Sequence, residues 1–226
     1  MTMRRFLVVA LAATVAVQCR AAAPALADEG IPLAVGLRLS TLGAGAEVAV
    51  GFGDYINLRA VGHMGGFSVF GNFSDVEYDV AVDFTNVGLI LDLHAADGGF
   101  RWSAGIFYNG NDYDGTATPL APTTIGGVQF SPSQIGTITG DIQTDDMAYY
   151  FGVGFGNPVS RDGRWTVTLD LGVWLLASAP QIDLTADGTA AGFDAFQREL
   201  EKEEQEVEDE LIRWWPVIAL GISYRF

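Results

Sequence analysis

The chain has one cysteine, one lysine, two histidines and, beyond its first residues, no long apolar run. Each scarcity excludes something. A single thiol, Cys19, rules out a disulfide-stapled scaffold. No later stretch approaches the roughly 18 apolar residues of a transmembrane helix, although mean hydropathy is positive at +0.24. The two histidines stand in no metal-ligand spacing, and neither a P-loop nor a dinucleotide fingerprint is present, so no metal, cofactor or catalytic residue is expected. Basic residues number 12 against 28 acidic ones, which argues against nucleic acid as a partner.

What is present begins with a leader. Arg4 and Arg5 precede the apolar run FLVVALAATVAV and the small-residue site Ala25-Leu26-Ala27, the pattern of a secretory signal peptide over residues 1–27. Gln18 stands before Cys19 where a lipoprotein signal needs a small residue, so a lipid anchor is not expected. Removing the leader takes three arginines with it, leaving 9 basic against 28 acidic residues, a net charge of −19 over residues 28–226. An exported, apolar chain without spanning helices enters a membrane only as a closed barrel, because every backbone group in lipid must be paired internally.

Period-two alternation recurs eight times. One face of each run carries Leu33–Leu39, Val48–Phe52, Ile56–Ala60, Val87–Leu93, Phe100–Tyr108, Tyr149–Phe155, Trp165–Leu175 and, last, Trp214–Phe226 at every second position. The short connections at 51–55, 95–99 and 160–163 alternate with long ones around 64–79, 110–146 and 177–212, as periplasmic turns alternate with extracellular loops; a tight hairpin at 41–44 is the exception. The opposite face is rich in glycine and alanine, including Gly36, Gly45, Ala49, Gly152, Gly154, Gly172, Ala219 and Gly221, where a water-washed surface would carry Lys, Glu and Thr. Small side chains suit the narrow lumen of an eight-stranded barrel, so the large apolar face points to lipid. Aromatics sort to the ends: Phe52, Tyr55, Phe100, Trp102, Trp165, Tyr224 and Phe226 beside the short turns, and Tyr108, Tyr149, Trp174, Trp214 and Trp215 near the long loops. The predicted fold is all-β, an antiparallel up-and-down transmembrane barrel of eight strands with one helix in the last extracellular loop.

The ending Gly221-x-x-Tyr224-x-Phe226, with apolar residues alternating back to Ile218, resembles the C-terminal assembly signal of Gram-negative outer-membrane barrels. With the leader and strand count, the chain is similar over nearly its full mature length to the small OmpA- and OmpW-like barrels of the cell envelope. The resemblance implies location in the outer membrane, contact with outer-membrane lipids and lipopolysaccharide, handling by periplasmic chaperones and the barrel-insertion machinery, and a monomeric state. Some small outer-membrane barrels are lipid A enzymes using a His and a Ser. Here the contexts are His63-Met64-Gly65 and His94-Ala95-Ala96, with Ser68 and Ser74 in the loop of His63, and a non-enzymatic protein is expected.

The inward positions carry balanced charges: Arg38, Arg59 and Arg101 against Glu47, Asp92 and Asp170. A turn centred on Leu42 and Gly43 predicts Arg38 opposite Glu47, a three-residue turn after Phe52 predicts Arg59 opposite Ala49, and a four-residue turn after His94 predicts Asp92 opposite Arg101. Such a paired network is expected to hold the lumen together and block it. In the last loop, Phe193, Phe196, Leu200, Val207 and Leu211 are spaced for a helix over about 192–213, with Asp194 and Gln197 placed as a capping box and the stripe resting at the barrel mouth. VQFSPSQIGTITGDI, 128–142, contains two β-like runs expected to project as a hairpin, and Asp112, Asp114, Asp141, Asp145 and Asp146 are read as a solvated acidic surface. Two functions follow: a structural or surface-recognition barrel acting through its loops, or an OmpW-like, porin-like conduit for small hydrophobic solutes. The lumen separates them.

Overall fold

The computed structural model describes residues 30–73, 75–95, 99–125, 128–160 and 163–226; the leader and Ser74 lie outside them. The strands are β1 Leu33–Ser40, β2 Gly43–Phe52, β3 Ile56–Phe73, β4 Val76–His94, β5 Phe100–Asn109, β6 Asp112–Pro119, β7 Thr123–Ile125, β8 Val128–Phe130, β9 Ile138–Gln143, β10 Met147–Phe155, β11 Trp165–Leu176, β12 Gln181–Ala186 and β13 Trp214–Arg225. Helices are α1 Pro132–Ile135 and α2 Asp194–Glu210, with a 3-10 turn at Thr189–Gly192.

Eight strands close a ring in the order β1-β2-β3-β4-β5-β10-β11-β13, and β13 returns to β1 with Leu37 opposite Ile222. Closure removes the free edges that an open sheet would present to hydrocarbon. The alternation sorts as expected: Leu37, Leu39, Trp102, Trp165 and Val167 on the outer wall are each more than 60% exposed, whereas Arg59, Asp92, Arg101 and Asp170 inside are at most 1% exposed. Rings at the short-turn end interlock edge to face, Trp165 with Tyr224 at 5.0 Å, Tyr224 with Phe226 at 5.4 Å and Phe100 with Phe155 at 5.5 Å, forming an aromatic girdle.

Two registers differ from the expected ones. The β1–β2 turn places Ser40 opposite Gly43, so Glu47 faces Gly36 and Arg38 faces Gly45. His94 pairs with Arg101, which sets Asp92 opposite Ser103. The third expectation agrees, with Arg59 opposite Ala49. The β1–β2 turn is centred one residue earlier than expected and the β4–β5 turn one residue later, and moving a turn's centre by one residue moves every partner by two positions.

The segment around 64–79 is not a loop. β3 and β4 run on as an 18- and 19-residue hairpin, in unbroken register from Ile56–Leu93 to Phe73–Val76. The lower part of β4 (Asn86–His94) pairs with β5, and its upper part (Val76–Asp83) pairs with β6. β9 and β12 extend that upper sheet outward. A projecting sheet β3-β4-β6-β9-β12 therefore rises from one side of the barrel, while the opposite side ends at the low β1–β2 turn. The two runs in VQFSPSQIGTITGDI do not pair with each other: VQF joins β7, and ITGDI lies between β6 and β12.

α2 is shorter than the expected 192–213 and packs on this sheet, not at the barrel mouth. Phe196 and Leu200 are buried with Ile135 and Ala190 against Phe130, Ile138, Leu184 and Ala186. The expected capping box is absent. Phe193 is the N-cap, no side chain caps it, and the Gln197 side-chain amide donates to the Ala191 carbonyl at 2.7 Å.

Candidate functional site

The six charged positions inside the barrel come from six different strands: Arg38 on β1, Glu47 on β2, Arg59 on β3, Asp92 on β4, Arg101 on β5 and Asp170 on β11. Around the wall the sign alternates from strand to strand over β1 to β5. Arg59 sits at the centre. Its Nε and Nη2 donate to the two carboxylate oxygens of Asp92 at 2.6 and 2.9 Å, the parallel fork that guanidinium geometry favours. Its Nη1 and Nη2 also reach Asp170 at 3.1 and 3.2 Å, and Nη1 reaches Glu47 at 3.3 Å.

Asp170 is the common anion. It accepts from Arg38 at 2.7 Å, from Arg101 at 2.5 Å and from Arg59. Glu47 accepts from Arg38 at 2.5 Å and from the Ser223 hydroxyl of β13 at 2.6 Å, while Ser103 donates to Asp92 at 2.6 Å. The remaining strand, β10, contributes backbone: Arg101 Nη1 donates to the carbonyls of Phe155 and Gly156. All eight wall strands thus meet in one electroneutral layer. Burial of charge in a low-dielectric bore is tolerated because each ion is paired and hydrogen-bonded.

Two further layers close the bore. Toward the outside, Leu42, Val61, Ile90, Phe107, Tyr150, Trp174, Leu176 and Val217 form an apolar plug, with Phe107 set edge-on to Trp174 at 6.2 Å. Leu42 belongs to the tight β1–β2 turn and folds in as a stopper, 2% exposed. Toward the short-turn end, Val159 packs on Ala34 and Ala49, and Asn157 accepts from Asn57 at 2.9 Å, so this turn tucks under the barrel.

The lumen is not lined only by small residues, and Trp174, like Trp215 opposite it on the inward face of β13, is not an interface aromatic of the outer wall; of the two, Trp174 is the deeper. It is 3% exposed, inside. The glycines are the reason such rings fit. A Cβ on Gly88 would lie 2.5 Å from the Phe107 ring, one on Gly172 would lie 2.6 Å from the Tyr150 ring, and one on Gly154 would lie 2.7 Å from Arg101 Cζ. Each glycine is the floor beneath a large neighbour's side chain. The sequence signal was there, in the pairing of inward glycines with inward aromatics, but reading it needs the cross-strand register.

His63 points inward, with Nδ1 2.9 Å from Asn86 Oδ1, while exposed Ser68 lies on the outward face of β3, so these two do not form a site. Gly221 faces inward, where a Cβ would meet Thr168 Oγ1 at 2.6 Å; Tyr224 joins the aromatic girdle; Phe226 donates its amide to the Leu33 carbonyl at 3.0 Å. Among the described residues, the groove formed by Leu91, Leu93, Trp102, Phe151, Val153 and Leu171 lies on the lipid side of the wall, not in the bore. Asp145 is tied locally, accepting from the Met147 amide and the Ser178 hydroxyl, both at 2.9 Å.

No protein-family model matches the chain, and no curated protein does. Two solved structures share its fold: the CarO2 protein of Acinetobacter baumannii, with a TM-score of 0.60 at 22% identity over 87% of this chain and 99% of that one, and CarO of the same organism, with a TM-score of 0.57 at 22% identity over 87% and 98%. The fold is that of a small eight-stranded outer-membrane β-barrel, and the apolar, girdled wall around it puts the protein in the outer membrane.

Proposed function

We propose that this protein is a non-enzymatic outer-membrane barrel with a closed bore, which anchors a projecting sheet for recognition at the cell surface. One observation carries the reading: six buried charges from six strands bond to one another across the middle of the lumen. A conduit for small hydrophobic solutes needs a continuous path, and this layer, with an apolar plug above it and a tucked turn below, opposes one. The surface left for a partner is the sheet that rises beyond the membrane, consistent with function residing in outer segments held by a rigid scaffold. Lipopolysaccharide and outer-membrane lipids surround the wall in this reading. Gly221, Tyr224 and Phe226 serve the insertion machinery as the last strand to be zipped.

Planar-bilayer conductance of the purified protein tests it. The wild type is expected to give no sustained channels, and Glu47→Ala, which takes one carboxylate from Arg38 and Arg59 and leaves a void beside them, is expected to give brief openings. Sustained wild-type channels or saturable uptake of a hydrophobic solute would overturn the reading in favour of the conduit.

A further inference from the structure

The projecting sheet has two edges, and the chain treats them differently. At the β12 edge, the outward amides of Ile182 and Leu184 are capped by α2: they donate to Glu208 at 3.1 Å and to Glu204 at 2.7 Å. Four helical residues rise about 6 Å and two strand residues about 6.8 Å, so carboxylates one turn apart match alternate amides of a strand. That edge is covered.

The other edge is the upper part of β3. β2 accompanies β3 only as far as Met64, which faces Ala44; beyond it β3 pairs with β4 alone. Every residue from Met64 to Asn72 is exposed, Phe67 at 56% and Phe70 at 72%. The stretch from Gly65 to Asn72 contains no charge and no proline, and forms no bulge in its register with β4. These are the devices by which exposed sheet edges are ordinarily protected, and all are missing.

Which backbone groups face outward follows from the ladder. Thr85 of β4 spends its amide on Asn111 and its carbonyl on Gly110, both on the side away from β3. Alternate β4 residues therefore bond β3: Phe84, Val82, Val80 and Tyr78, opposite Gly65, Phe67, Val69 and Gly71. The amides and carbonyls of Gly66, Ser68, Phe70 and Asn72 point to the open side. Such a row, with a residue pair every ~6.8 Å over a projection of roughly 30 Å, is complementary to one kind of ligand, an extended polypeptide backbone.

The side chains define that ligand further. On the face continuous with the lumen, Phe67 and Val69 offer apolar contact. On the other face Phe70, 72% exposed, stands on the edge strand itself, and the next strand in carries exposed Glu77 and Asp79, opposite Asn72 and Phe70. We propose that residues Gly65–Asn72 are a strand-addition site, which takes an extended segment of a partner protein alternating apolar and basic residues. This rests on the recognition reading above and names its partner class.

The test uses the full-length protein in nanodiscs, with a synthetic ten-residue peptide alternating valine and lysine, and the same peptide N-methylated at every residue so that neither edge can pair. Hydrogen exchange at the Ser68 and Phe70 amides is the readout. Excess valine–lysine peptide is expected to slow both at least tenfold, while the N-methylated peptide, equal in charge, has no effect. Ser68→Pro removes an edge-facing amide without touching the β4 ladder and should abolish the protection of the Phe70 amide, whereas Ser68→Thr retains it. Equal protection by the N-methylated peptide would reduce the effect to charge attraction and overturn the proposal. So would protection in the absence of peptide that disappears in monomers, since the occupant would then be a second copy. No protection in a protein that gives no conductance refutes the edge site alone, and channels in the wild type refute the closed-bore reading alone.

Discussion

Asp170 shows how one residue can hold more of the lumen than its neighbours. It touches all three arginines of the bore, whereas Glu47 touches two and Asp92 is shared by Arg59 and Arg101. Breaking a buried ion pair on one side leaves an uncompensated charge, at about 3–5 kcal/mol. Asp170→Asn is therefore expected to lower stability by that amount and by more than Glu47→Gln, in urea unfolding followed by tryptophan fluorescence in detergent. An equal effect of the two would show that no single anion is central. At Gly154 the limiting quantity is space. A methyl group there would press on Arg101 Cζ and, at 2.8 Å, on Asp170 Oδ1, so Gly154→Ala should cost about 1–3 kcal/mol despite being the smallest change available. The charged residues were legible one by one in the sequence, because inward parity is a matter of counting. Their partners were not: Asp92 meets Ser103 opposite and Arg101 diagonally, and the three arginines that Asp170 binds lie on β1, β3 and β5, far from it in the chain, where no local turn predicts them.

At the scale of the element, α2 illustrates the limit of pattern reading. Its helical spacing and acidic flank were visible, but the acidic residues do two different things. Glu204 and Glu208 face the β12 edge, while Glu199 pairs with Lys202 at 2.6 Å on the exposed side. Replacing Glu204 and Glu208 together with alanine is expected to speed exchange of the Ile182 and Leu184 amides about tenfold, equivalent to ~1.4 kcal/mol of local opening, and to leave the barrel amides unchanged. Unaltered exchange at those two amides would mean that solvent satisfies them as well as the helix does. The β3–β4 hairpin is the opposite case. Its glycines and polar residues look like a loop in sequence, yet the strands continue because β6 lies alongside β4 and lends ladder bonds where hydrophobic burial is thin.

Over the whole molecule the barrel and the projecting sheet differ in what holds them. The barrel is closed by β1–β13 pairing and cross-linked inside by a layer that involves every wall strand; the sheet has an apolar cluster centred on Ile135, Phe196 and Leu200 and one open edge. Unfolding is therefore expected in two steps. Exchange protection of β9 and β12 should be lost at lower urea than that of β1 and β13, and Asp170→Asn should move only the second step. Coincident loss would show that the sheet and the barrel are one cooperative unit.

Sequence alone determined the class: absence of spanning helices, eight alternating runs and an aromatic belt at the short-turn end each follow from local composition and period, which do not depend on what lies across the bore. It also determined that six balanced charges face inward. Only the tertiary structure decided that they form one closed layer, that glycines make room for Phe107, Tyr150 and Trp174, and that one sheet edge is capped while the other stands open. These depend on shear, closure and long-range pairing, where a shift of two residues in one turn exchanges every partner, and no local pattern encodes that choice.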